Sequence, residues 1–321
     1  MGQLTLCDAH CHPTDDPNSL DLIPKMQTSK LTLMATRLDD IDLVHSAAQR
    51  YPDKVIPAFG YHPWFSHLVY LTEEPPKSSY EHYCKVLTPT PTEEFVNSEL
   101  PFPASFEEHL KKIKRYLEMH PNAILGEAGL DKAFRLPQKH GDKKLSPYKV
   151  DMGHQQEVFK RQLSVAVDLG RPVSVHGVQC QNAVYECIMS HPPPSVCLHS
   201  YTGSPQFLQS NWLNKKLRKR QPQVFVSCSV LINIPTQAKM DALAESIPSD
   251  RILSESDYHA AGDLIDEYVY QSLSSIASAY KMGIEQAAEA VSQNYSRFVK
   301  TSAQQGNIEH NPTLSEADPG V

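Results

Sequence analysis

At 321 residues, 40% hydrophobic and 21% charged, the chain has a globular composition with room for one barrel-sized core. No run of 18 apolar residues occurs, which excludes a membrane-spanning helix, and the first residues lack the basic-then-apolar pattern of a secretory signal. A net charge of -7 gives no general attraction to phosphate backbones, and 7 cysteines without CxxC spacing point to a reducing intracellular compartment, cytosol or nucleus.

In chain order, apolar strand-like runs fall at 4–8, 31–36, 55–60, 123–127, 173–176, 196–199, 224–227 and 252–254. Amphipathic stretches alternate with them at 41–51, 106–119, 153–169, 180–190, 205–219 and 236–246. Two further helices, 263–280 and 284–300, would close the ring. Strand followed by helix, repeated around the chain, predicts an α/β protein with a (β/α)₈ barrel over residues 1–301.

Two segments break the spacing. Residues 67–105 hold Pro75, Pro76, Pro89, Pro91, Pro101 and Pro103, so an insertion at about 66–105 is expected as a lid or an irregular excursion. Residues 132–152 form a basic loop after the fourth strand, where Lys132 and Lys143 could face a substrate. Residues 302–321 read as a disordered tail, and the basic run at 215–220 as a solvated helix end.

The chemistry gathers at the strand ends. On an extended chain, residues two apart point the same way, so Asp8, His10 and His12 can converge. Taken alone, metal binding and an exposed strand edge explain this triplet equally well. The third strand leads to His62, the fourth to Glu127 and Asp131, the fifth to His176, the sixth to His199, and the eighth to Glu255 and Asp257. Side chains at the C-terminal ends of barrel strands line one mouth, which is where barrels keep their catalytic groups. Imidazoles and carboxylates without thiolates suit Zn²⁺, Mn²⁺, Mg²⁺ or Fe²⁺, and one bridging carboxylate would let them hold two divalent metal ions.

At Asp8-Ala9-His10-Cys11-His12, Gly60-Tyr61-His62-Pro63, Gly126-Glu127-Ala128-Gly129-Leu130-Asp131, Pro172-Val173-Ser174-Val175-His176, His199-Ser200-Tyr201-Thr202-Gly203 and Glu255-Ser256-Asp257, the chain resembles the TatD family of metal-dependent deoxyribonucleases. The segment Asn294-Tyr295-Ser296-Arg297-Phe298 is similar to the family's terminal helix, so the resemblance runs over about residues 4–300. It implies a metal-dependent hydrolase of amidohydrolase-like type acting on DNA or another phosphoester. The implied first metal site is His10, His12, Glu127 and Asp257, and the second is Glu127, His176 and His199. The implied catalytic residues are Asp257, as general base, and the bridging Glu127. His62 is implied as a phosphate contact, though capping its own Gly-x-His-Pro turn is an equally simple role. For Asp8, ligation and orientation of a ligand histidine both stay open.

The chain departs from the family where Gly177-Val178-Gln179 stands in place of a small residue and an arginine after the strand-five histidine. It departs again at Tyr258-His259-Ala260, where Ser-Pro is usual. Two other readings follow: a hydrolase of a small amide or phosphoester, and a weakly active or inactive barrel that serves as a protein partner. Glu127 stands where many amide-cleaving relatives carry a lysine, which favours the nuclease branch. A monomer is expected.

Overall fold

The computed structural model describes residues 4–138, 145–214 and 221–300. Lys143, the 215–220 run and the 302–321 tail lie outside the described residues. Eight parallel strands run β1 Cys7–Cys11, β2 Lys30–Met34, β3 Val55–Phe59, β4 Ile124–Asp131, β5 Val173–Val178, β6 Ser195–Leu198, β7 Gln223–Cys228 and β8 Ile252–Ser254. Each pairs with the next in chain order. Side-chain and loop bonds then join the last strand to the first: Ser254 Oγ donates to the Cys7 carbonyl at 2.8 Å, and Asp257 N donates to the His10 carbonyl at 2.9 Å. The expected (β/α)₈ barrel is thereby present.

Nine α-helices of seven or more residues occur among the described residues: α1 Ile41–Arg50, α2 Ser79–Val86, α3 Glu93–Glu99, α4 Phe106–Met119, α5 Met152–Asp168, α6 Gln181–Ser190, α7 Gln237–Ala244, α8 Asp263–Ala279 and α9 Ile284–Phe298. No described helix is long and apolar enough to cross a membrane. In the described part of the helix expected over 205–219, the chain forms a short turn, Pro205–Phe207, followed by a π-type turn, Leu208–Trp212.

The buried residues form two layers. Strand residues such as Leu31, Leu33, Val173 and Val226 pack outward against the helices. Met34, Ile56, Ala58, Ile124, Cys197, Phe225 and Leu253 make a separate inner cluster, with Tyr295 and Phe298 of α9 packed on it. The segment around Tyr295 works as a fastener. Asn294 Nδ2 donates to the Ser249 and Ile252 carbonyls at 2.8 Å each, and the Tyr295 hydroxyl lies 2.9 Å from Thr32 Oγ1.

The insertion differs from the irregular excursion expected of it. Ser78 Oγ accepts from Glu81 N and Thr92 Oγ1 from Phe95 N, capping α2 and α3. Tyr83, Val86, Leu87, Phe95 and Val96 then bury a small core against Leu136, Tyr148 and Val150 from the segment after β4. The two breaks in the barrel pattern are thus one packed unit.

Candidate metal centre

Seven side chains singled out in the sequence meet at the C-terminal mouth of the barrel. β1 carries His10 and leads into His12, β4 carries Glu127, β5 carries His176, β6 runs into His199, and the chain after β8 carries Asp257. His62 enters from the turn after β3. Close backbone approach makes this possible. A Cβ on Gly129 would stand 1.9 Å from the His176 carbonyl oxygen, so only glycine lets β4 and β5 lie this close. Asp257 sits at φ 53° and Ser200 at φ 40°, left-handed backbone that turns the chain back over the site.

The two oxygens of Glu127 divide the cluster. Oε2 lies 3.4 Å from His10 Nε2 and 3.5 Å from His12 Nε2. Oε1 lies 2.8 Å from His176 Nδ1, 3.0 Å from His199 Nε2 and 3.2 Å from His62 Nε2. Asp257 Oδ1 completes the first side at 3.4 Å from His12 Nε2 and 4.0 Å from His10 Nε2.

The back faces of the rings are held as well. His10 Nδ1 lies 2.9 Å from Ser174 Oγ, and His176 Nε2 lies 3.1 Å from Asp131 Oδ2. Such bonds fix a ring so that its other nitrogen points into the cavity. His199 Nδ1 stands 3.7 Å from Glu255 Oε1, beyond hydrogen-bond range, while that oxygen accepts from Ser200 N and Oγ at 2.8 and 2.6 Å. Glu255 Oε2 is buried with no hydrogen-bond partner.

These residues fit a divalent cation. A tetrahedral ion with bonds of about 2.1 Å requires donor atoms about 3.4 Å apart. His10 Nε2 and His12 Nε2 lie 3.1 Å apart, and their separations from Glu127 Oε2 and Asp257 Oδ1 run from 3.4 to 4.0 Å. Buried Asp8, Glu127, Asp131 and Glu255 add four carboxylates to the half-buried Asp257, a concentration of acidic groups that suits a bound cation. The donor groups that can surround one point are His10, His12 and Asp257; His10, His199 and Glu255; and His62, Glu127 and His176.

Electrostatics follows from this packing. Burial alone would raise the Glu127 carboxyl, but His62, His199 and His10 around it hold it well below the usual carboxylate range. Burial pushes His62 down to about 4. His62 Nδ1 accepts from Trp64 N at 3.2 Å, so the neutral ring carries its proton on Nε2 and donates it toward Glu127. It caps its turn and presents a donor to the mouth at once. Asp8 is wholly buried and bonded to Ser256 N, Ser256 Oγ and His10 N, so it fixes backbone rather than facing the cavity. Asp131, expected at the end of the fourth strand without an assigned role, bonds both His176 and Trp64. Burial opposes its charge, yet His176 and Trp64 hold its carboxyl down to about 2. Glu255 was missed as a site residue, although it lies two positions before Asp257 on the same strand end. Lys132 is exposed and does not line the cavity.

The family model for TatD related DNase matches residues 7–300. The Cut9-interacting protein scn1 of Schizosaccharomyces pombe is 36% identical over 340 residues, covering 93% of this chain and 99% of its own. An uncharacterized deoxyribonuclease of Saccharomyces cerevisiae is 33% identical over 318 residues, covering 92% and 99%. The crystal structure of the TatD homolog YjjV from Escherichia coli superposes with a TM-score of 0.60 at 18% identity, over 91% of this chain and 97% of that one, and shares the fold. On the family match and the two full-length relatives, this chain belongs to the TatD-related DNase family.

Proposed function

We propose that the chain is a two-metal phosphodiesterase that cleaves DNA by water attack. The observation that carries this reading is the division of Glu127, with Oε2 toward His10 and His12 and Oε1 toward His176 and His199. A carboxylate so placed suits a bridge between two ions. The first set is His10, His12, Glu127 and Asp257, and the second is Glu127, His176 and His199.

Divalent ions bound there supply Lewis acidity to a phosphoryl oxygen and acidify water. The chain's own groups do the rest. Asp257 faces the cavity beside His12, whose imidazole is raised to about 9: burial works against its charge, but the Asp257 hydrogen bond and Glu127 outweigh it. The Asp257 carboxylate stays ionised at neutral pH and takes the proton of the attacking water. His62 offers its Nε2 proton to a phosphate oxygen. Asp131 and Ser174 keep His176 and His10 in the orientations that ligation needs.

The test is metal content together with cleavage of single- and double-stranded DNA in Mg²⁺, Mn²⁺ and Zn²⁺, beside Glu127→Ala. Metal-dependent cutting lost in the variant supports the proposal. Stoichiometric metal with intact DNA redirects it to a small amide or phosphoester substrate. One relative's name favours a second role, as a protein-interaction partner, since scn1 is named for an interaction. Absence of both metal and cutting would leave that role.

A further inference from the structure

We propose that Trp64 and Phe134 form a stacking platform for a nucleobase at the mouth of the metal centre, so that this chain grips its substrate by a base more than by phosphates. This rests on the phosphodiesterase reading and extends it to how the substrate is held. The mouth opens into a cavity of about 490 Å³, a size suited to a single nucleotide. On one wall Trp64 is 40% exposed, and its ring stacks on Phe134 with centroids 5.0 Å apart and planes 13° apart.

One carboxylate ties this platform to the metal centre. Asp131 Oδ2 accepts from Trp64 Nε1 at 2.7 Å and lies 3.1 Å from His176 Nε2. Its Oδ1 accepts from Ala133 N and Phe134 N at 2.7 and 2.8 Å. The indole is therefore held at a fixed place relative to His176, and a ligand that stacks on it loses little side-chain entropy. Ile232, 47% exposed, lines the same cavity from the loop after β7 and adds an apolar contact.

Phosphate contacts are scarce by comparison. Among the described residues lining the cavity, Arg37 is the only lysine or arginine, and it is already engaged by Asp15 and Asp40. Two positions after the strand-five histidine stands Val178, which offers no charge. With a net charge of -7, little counterion release is available, whereas a base offers a π-face to any aromatic platform.

The experiment compares a short oligothymidylate with the same oligonucleotide bearing an abasic terminal residue, using the full chain with Mn²⁺. Wild type is expected to show a KM about ten-fold lower for the base-bearing end. Trp64→Phe should keep most of that preference, and Trp64→Ala should lose it. Binding should also weaken with salt no more steeply than one phosphate contact requires, a log–log slope of about -1 or shallower. Equal KM values in wild type, a preference that survives Trp64→Ala, or a steep salt slope overturns the platform. If wild type cuts no phosphodiester, the phosphodiesterase reading falls by itself, and tryptophan emission decides the platform. The other tryptophan, Trp212, is buried, so emission changes report Trp64. Stronger quenching by oligothymidylate than by its abasic counterpart supports the platform, and equal or absent quenching overturns it.

Discussion

Asp8 and Ser256 stand 248 positions apart in the chain, yet two hydrogen bonds join them across the junction of β1 and β8. Ser256 N donates to Asp8 Oδ1 at 3.0 Å, and Ser256 Oγ donates to Asp8 Oδ2 at 2.5 Å. The same Oδ1 accepts from His10 N at 3.1 Å. Desolvation is strong enough to push the Asp8 carboxyl up to about 7, against the pull of the Ser256 bonds. Asp8 thus ties the first strand to the last at the level of the candidate metal centre, where His10 Nε2 lies 4.0 Å from Asp257 Oδ1. Asp8→Ala leaves three buried donors without an acceptor. A loss of about 2–4 kcal/mol is expected in urea unfolding. An unchanged midpoint would show that the junction is held elsewhere.

Glu127 turns one carboxylate oxygen toward each half of the imidazole cluster, so a bound metal should stabilise the fold through it. A ligand that binds only the native state raises stability by about 2.7 kcal/mol at a hundred times its dissociation constant. Metal-stripped protein should therefore gain several degrees in melting temperature when Mn²⁺ or Zn²⁺ is restored, and chelation should reverse the gain. In Glu127→Ala the gain should shrink to near zero. A full metal-induced shift in that variant would place the ions away from Glu127.

Much of this was legible in the chain because side-chain parity survives errors of register. The first strand was expected at 4–8 and pairs at Cys7–Cys11, but Asp8, His10 and His12 remain two apart. β4 and β5 run past their expected ends to Asp131 and Val178, because Gly129 lets the two strands stay paired beyond Glu127. The insertion was harder to read. Its prolines suggested irregular chain, while the caps at Ser78 and Thr92 were local signals of helices that only Tyr148 and Leu136, far along the sequence, could give a core. The platform at Trp64 was hidden for the same reason, since its partners Asp131 and Phe134 lie more than 60 positions away.

Three histidines behind the site add acid sensitivity to the fold. His67 is pushed down to about 3 by burial, with His154 and His82 adding like charge, and burial also lowers His82 and His154. Above pH 6.5 all three are neutral in the folded chain. In the unfolded chain each takes up a proton near pH 6.5, so the unfolded state binds more protons below that value. Their contribution is complete above pH 6.5 and is lost as the pH falls toward the folded values. For His67 alone the loss at pH 5 is about 2 kcal/mol. Urea midpoints at pH 7.5, 6 and 5 should fall steadily in wild type and less steeply in His67→Leu. Parallel slopes for the two proteins would rule out His67 as a source of acid sensitivity.

The packed insertion should loosen before the barrel does. Tyr148 lies 4.5 Å from Phe95 between ring centroids, and its hydroxyl accepts from Thr92 N at 3.3 Å. Tyr148→Ala removes the ring that ties α3 to the segment after β4, a truncation that costs about 3–5 kcal/mol in a packed core. The main barrel core includes none of these residues. Protease should therefore cut within 66–105 many times faster in Tyr148→Ala, while the barrel's main unfolding transition shifts by a smaller free energy. The Trp64 platform should weaken too, because the Tyr148 ring belongs to the small core against which Leu136 and Phe134 pack. A variant that unfolds in one step with its whole loss in the main transition would show that insertion and barrel form a single cooperative unit.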